Sequence, residues 1–412
     1  MRRNNSAAVS PSSTMDRTSK EDGRDGLWID PTAAAAVSPY ILSYGEPSSR
    51  AIARLLYCLE SLWGHLFPLP HPSPPTAHAL AVDAWTRATI GMSSVFMGPA
   101  LLELAMASCP ENGEGDNVCI VHGFRPSSIL TNLAAVSGLL GSILLPLFGA
   151  CIDHTPYRRA VGAMTAVLLV VLQAVQIGIG SGWLSWWMIV VVLQLVSALL
   201  YQIHLTATLA YVPELTTITS PTSTTHRQAA YNAAFGLVLY VSTLVFLVQV
   251  LVGVAWRRTW VVLDDDNDSK NMSVDVGTAR IAQVIATGTT AIGFGLAWGG
   301  LFPDRPALQQ LASSSQQSLW TVGFVQTWRT LRTVRPTVLA VLGAVSAGEA
   351  ASAGLVSVST TYCKVVLDMA AGESTFLASV CIALADASCT QSDCCSWWSS
   401  RGPFLALNWE RS

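Results

Sequence analysis

Charge is scarce in this sequence. Asp, Glu, Lys and Arg together make up 12% of its 412 residues, roughly half the usual share. The net charge of −3 gives the chain as a whole no electrostatic attraction to nucleic acid, so none is expected as a partner. Two catalytic templates are also missing. There is no Gly-Lys-Ser or Gly-Lys-Thr phosphate loop, which argues against ATP-driven transport, and no His-Glu-x-x-His for a membrane metalloprotease. No other enzyme template stands out, so the protein is not expected to be an enzyme and no cofactor is implied. The nine cysteines are scattered without a C-x-x-C pair matched by a second Cys or His pair, so no metal site is expected. Cys151 and Cys381 lie in apolar runs and read as small packing residues. The amino-terminal 75 residues lack a short apolar core with a small-residue cleavage site, so no cleaved signal peptide is expected and the first span acts as an uncleaved anchor.

What the sequence has instead is long apolar runs. A helix needs about 20 apolar residues to cross a hydrocarbon core about 30 Å thick. Residues 129–152, 160–180, 183–211, 230–256 and 278–302 meet this clearly, 80–108 and 336–361 also qualify, and 374–387 is a shorter eighth run. The expected fold is therefore an all-α polytopic membrane protein. Residues 1–47 read as a disordered cytosolic segment and 48–79 as an amphipathic helix with a Pro-rich linker. A six-span bundle follows over 80–302, then a cytosolic loop over 303–335 with a short surface helix at 327–335. About two spans of an incomplete second bundle cover 336–387, and 388–412 form an irregular tail holding Cys and Trp. Residues 48–66 carry Ile52, Leu55, Leu56, Leu59, Leu62, Trp63 and Leu66 at helical spacing. Two readings of that helix stand: it lies on the cytosolic leaflet, or it packs against the bundle.

Positive charge orients the chain. The amino-terminal segment carries seven basic residues, Arg158 and Arg159 follow the second span, Arg227 follows the fourth, and Arg305, Arg329, Arg332 and Arg335 follow the sixth. The loop between the fifth and sixth spans is the exception, with Arg257, Arg258, Lys270 and Arg280. The amino terminus is expected in the cytosol. Asn271-Met272-Ser273 is then a glycosylation sequon on the non-cytosolic side, where Cys109 and Cys119 are placed for a possible disulfide. Trp183, Trp186, Trp187, Trp256 and Trp260 suit an aromatic belt at the same interface.

Between the second and third spans lies Gly149-Ala150-Cys151-Ile152-Asp153-His154-Thr155-Pro156-Tyr157-Arg158-Arg159. Gly149 would let helices approach closely, Asp153 would cap or pair with a helix end, and Arg158 and Arg159 would engage helix carboxyl ends or lipid phosphates. A purely topological role for the two arginines stands beside this gating role. The pattern resembles the loop motif of the major facilitator superfamily. Ala210-Tyr211-Val212-Pro213-Glu214-Leu215 after the fourth span, Gly323-Phe324 before the seventh and Thr361-Tyr362 after it extend the likeness to the autophagy-related vacuole effluxer branch of that superfamily. The resemblance covers residues 80–385 and rests on the order of short motifs. It implies a secondary transporter exporting amino acids from a vacuole- or lysosome-like compartment, with a six-helix bundle of that superfamily's type. That family has twelve spans, and the expectation here is a truncated second half. The rival reading is a truncated transporter relative that does not transport and serves as a membrane sensor or interaction partner. Oligomeric state is left open.

Polar groups facing lipid are costly, so polar stripes should face the bundle interior. Gln194, Ser197, Tyr201, His204 and Thr208 share a face of the fourth span, Gln173 and Gln176 one of the third, and Arg87, Gly91, Ser94 and Gly98 one of the first. Each stripe either lines a hydrated substrate route or holds the bundle by interhelical hydrogen bonds. Arg87 and Glu103 sit towards opposite ends of the first span, where both are placed to snorkel. Glu349, mid-way along the seventh run among Ala347, Gly348, Ala350 and Ala351, is the expected proton- or cation-linked group. Glu214 reads as structural, and His204 reads either as a titrating group or as a hydrogen-bonded packing residue.

Overall fold

A computed structural model of the chain describes residues 75–109, 125–179, 187–217, 224–263, 274–304, 319–367 and 369, all within one compact unit, Arg54–Ser412. The expected disordered segment, the amphipathic helix, Cys119, Asn271, the eighth run and the tail lie outside the described residues.

Small side chains decide which helix sits in the middle. Helix α1, Pro75–Ala107, is rich in alanine, and Ala77, Ala79, Ala84, Ala100 and Ala105 are fully buried. Where these alanines lie at the contact its neighbours can approach closely, which is how helices associate where apolar burial gives no advantage over lipid. Pro75 opens α1, where a missing N–H costs nothing. The helix thus begins five residues before the expected span at 80, inside the stretch read as linker. Five further long helices follow. They are α2, Ile129–His154, entered through a 3-10 turn Pro126–Ser128; α3, Arg158–Gln176; α4, Trp187–Leu209; α5, Thr224–Leu263; and α6, Val274–Leu296. Thr155 and Pro156 turn the chain sharply between α2 and α3, and a single helical turn, Glu214–Thr217, follows α4. A π-helical turn, Ala297–Leu301, extends α6.

Six of these helices are long and apolar enough to cross a membrane, the arrangement of a multi-pass membrane protein. Their outward side chains agree with a lipid surround: Leu139, Met164, Val252 and Ile292 are each more than three-fifths exposed, in amounts a water-soluble surface does not tolerate.

The helix pairings repeat. Helix α1 packs on α5 and α6, as α4 packs on α2 and α3; α3 meets α6, and α1 meets α4. Exchanging the first three helices for the last three maps this main set of pairings onto itself. Two further helices follow, α7, Leu319–Thr333, and α8, Pro336–Val365. The expected surface helix at 327–335 is thus longer and begins earlier. Its start is docked, because Gly323 lies against the carbonyl of Pro146 and the side chain of Ala150 on α2, while residues 327–333 are exposed. Helix α8 touches the bundle near its far end, where Lys364 pairs with the buried Asp275 at the start of α6 and Thr360 lies beside Gly98.

Because α1 and α2 each cross the bundle, Ser108 and Tyr157, both exposed, must lie on opposite faces of the membrane. Single cysteines placed there in a cysteine-depleted background should be labelled by an impermeant reagent from opposite sides of sealed vesicles. Labelling of both from one side would remove a span from this arrangement.

Candidate functional site

Asp83 is fully buried on α1, and the groups that meet its charge come from three different elements. Its Oδ1 accepts from His204 Nε2 of α4 at 2.9 Å and from the Trp298 indole N–H of the π turn at 3.0 Å. Its Oδ2 accepts from Arg87 Nε, one turn along α1, at 2.7 Å. The Thr208 hydroxyl lies 3.2 Å from Oδ2 and 3.0 Å from the carbonyl of His204, so its one proton serves either acceptor. Tyr201, on the same face of α4, faces Arg87. Burying an ion costs several kcal/mol, and each of these partners offsets part of that.

The far side of the imidazole is also occupied. His204 Nδ1 lies 3.0 Å from Thr165 Oγ1 and 3.2 Å from the carbonyl of Gly162, both on α3. The ring is 4.6 Å from that of Phe294 and 5.3 Å from that of Trp298, centroid to centroid. Gly162 is required for this packing, since a Cβ there would run into the six-membered ring of Trp298.

The same end of the bundle carries the basic pair. Arg158 is buried at the start of α3, donating to Glu214 Oε1 at 2.9 Å and to the carbonyl of Ala210 at 3.2 Å, with its guanidinium 5.1 Å from the Tyr211 ring centre. Its Nε and Nη2 have no described partner. Arg159 donates to Asp304 at 2.9 Å and to the carbonyls of Trp298 and Gly299 at 3.2–3.4 Å. Both arginines thus close carboxyl-terminal helix ends, where the backbone dipole favours a cation. Burial pushes the Tyr211 phenol up to about 12, so it remains a donor, to the carbonyl of Pro303 at 3.3 Å.

A second polar layer lies further along the bundle. Gln173 of α3 donates to Ser93 of α1 at 3.4 Å and accepts from Thr290 of α6 at 3.0 Å. Gln176 and Gln194 are buried, and each has an amide nitrogen without a partner among the described residues.

The structure therefore gathers Tyr201 and His204 at one centre, places Gln173, Gln176 and Gln194 in the bundle interior, and sets Arg158 and Arg159 on helix ends. At Arg87 and Gly149 it departs from the sequence reading. Arg87 does not snorkel: it is 9% exposed and held by Asp83. Nothing lies within 4 Å of a Cβ built on Gly149, so close helix approach does not account for that glycine. Asp153 is half-buried and forms no ion pair among the described residues. Cys109 is disulfide-bonded, while Cys119 and the sequon Asn271 are outside the described residues. Glu349 lies within α8, and its side chain is not described. The residue missed altogether is Asp83. Its signal is an acid and a base four residues apart inside an apolar helix, a spacing that places both on one face.

Gly162→Ala should displace the Trp298 ring and loosen its bond to Asp83. Thermal unfolding in detergent is expected to show a loss of about 1–3 kcal/mol, the usual range for overpacking. Unchanged stability would show that the ring has room to move.

Comparison with family models, with curated proteins and with solved structures gives no match to this chain.

Proposed function

We propose that this protein is a secondary active transporter of the major facilitator type, moving a small solute, most simply amino acids, out of a vacuole-like compartment with its amino terminus in the cytosol. The observation that carries the reading is an ionisable centre where α1 meets α4. These are corresponding helices of two three-helix halves whose pairings repeat. Secondary transporters are built from such internal repeats and bind their cargo at the repeat interface, and ionisable residues within spans mark ion and substrate paths. The basic pair Arg158–Arg159 supports the reading from the cytosolic face. It holds the ends of α4 and α6, contacts that must loosen if one bundle rocks against another. In this account Gln173, Gln176, Gln194, Tyr201, His204 and Glu349 belong to the solute route.

The test is counterflow of a mixture of radiolabelled amino acids into proteoliposomes holding the full chain. Saturable, protein-dependent exchange is expected, and Glu349→Gln should slow it by about tenfold or more while leaving the protein folded. Intact protein that exchanges none of these solutes would favour a sensor or interaction partner instead.

A further inference from the structure

We infer that His204 is a reversible proton-binding site, gaining and losing its proton at Nδ1, and that this proton is the one coupled to solute movement. The coupling half of the inference rests on the transporter reading above; the proton site stands on geometry alone.

The two ring nitrogens face groups of different capacity. Nε2 meets Asp83 Oδ1 at 2.9 Å. An ionised carboxylate only accepts, so Nε2 carries a proton whatever the state of the ring. Nδ1 meets a hydroxyl that can donate or accept, Thr165 Oγ1, and a carbonyl that can only accept, that of Gly162. With the ring neutral, Thr165 turns its proton towards Nδ1. With the ring charged, Nδ1–H donates to Thr165 Oγ1 or to Gly162, and the hydroxyl turns back to the carbonyls of Val161 and Gly162, each 2.9 Å away. Rotation of one hydroxyl therefore satisfies both states with no movement of a heavy atom. A histidine serving only as packing needs one such arrangement; this one has two.

Charge gives the second state its consequence. Asp83 and Arg87 cancel, so the centre is neutral with a neutral ring and carries one positive charge with a protonated ring. The ionisable groups facing the ring are Asp83 and Arg87 from α1 and Tyr201 from α4 itself. Among the described contacts, α3 offers Thr165 and a carbonyl, and α6 with its π turn offers Phe294 and Trp298, none of which carries a countercharge. Further towards the same end of the bundle stand Tyr211, Arg158 and Glu214, already paired with one another. An uncompensated charge inside the bilayer favours conformations that admit water, so proton occupancy biases the bundle. Trp298 connects the site to the cytosolic end. Its indole donates to the oxygen of Asp83 that His204 also contacts, and its carbonyl accepts from Arg159.

The experiment labels the histidines of the full chain with 13C and 15N and follows their ring resonances in lipid between about pH 5 and 8. The chain has seven histidines, so the His204 ring is identified as the resonance lost in His204→Gln, and that resonance is expected to titrate. Thr165→Val, which removes the donor that only the neutral ring uses and keeps the shape of the side chain, should preserve that signal and displace its titration towards the charged form. A His204 resonance that stays fixed across this range, or a titration untouched by Thr165→Val, would overturn the site. In proteoliposomes, accumulation of the amino-acid mixture under a pH gradient should fall about tenfold in His204→Gln relative to that variant's own counterflow. Undiminished accumulation would overturn the coupling role. A titrating His204 in a wild-type protein that moves no solute would leave the proton site standing and remove the transport reading beneath it.

Discussion

A carboxylate enclosed by apolar helices has to be met by donors, and the positions of α1, α3, α4 and the π turn follow from meeting Asp83. Arg87 supplies the countercharge from the same helix, which leaves Oδ1 to be completed from outside. His204 and Trp298 do so, and each is then fixed from behind: the imidazole by Thr165 and Gly162, the indole by Phe302, whose ring centre lies 4.2 Å from it. Apolar contacts alone choose poorly between helix registers in lipid, since a side chain gains little by exchanging lipid for another helix. A buried ion with directional partners specifies a single register. Glycine makes that register sterically possible at Gly162, under Trp298, and at Gly293, under Thr86.

The two ends of the bundle are closed by different means. At the Asp83 end, arginines reach across to the carboxyl-terminal ends of α4 and α6, and rings of Tyr211, Trp298 and Phe302 fill the space between. At the other end the ion pair of Lys364 with Asp275 ties α8 to α6, and Arg280 donates to the carbonyl of Ile177 at 3.1 Å. Helix α8 is exposed along its first turns and gains cover only as it approaches Thr360. It therefore leans on the bundle at one end and stands away from it at the other, with its mid-point near Glu349.

Spans were legible because bilayer thickness imposes a length, and every one of the six apolar runs from 80 to 302 corresponds to a helix of crossing length. Their ends were less legible. Apolar composition stops at the membrane surface, whereas the helices α1 and α5 continue past it to Pro75 and Leu263. The polar stripe of α4 pointed inward as the cost of polar groups in lipid requires, and Gln194, Ser197, His204 and Thr208 are all buried. Asp83 escaped notice because a residue near the start of an apolar run reads as an interfacial anchor, and the same assumption sent Arg87 to the surface. Nothing in Ala297-Trp298-Gly299-Gly300-Leu301 announces a π turn, yet that turn aims the indole at the carboxylate. The docking of α7 on α2 was equally hidden, since Gly323 shows its purpose only beside Pro146.

The bundle depends on Asp83 and Arg87 acting as one buried ion pair, and a double-mutant cycle tests this most directly. Unfolding free energies would be measured in one detergent for Asp83→Asn, Arg87→Gln and the double variant. Each single change leaves a buried charge or its donors uncompensated and should lose about 3–5 kcal/mol. The double variant should lose clearly less than the sum, with a coupling of about 0.5–3 kcal/mol. Losses that add to within about 0.5 kcal/mol would mean that the two residues do not act as a pair and that the bundle is held by other contacts.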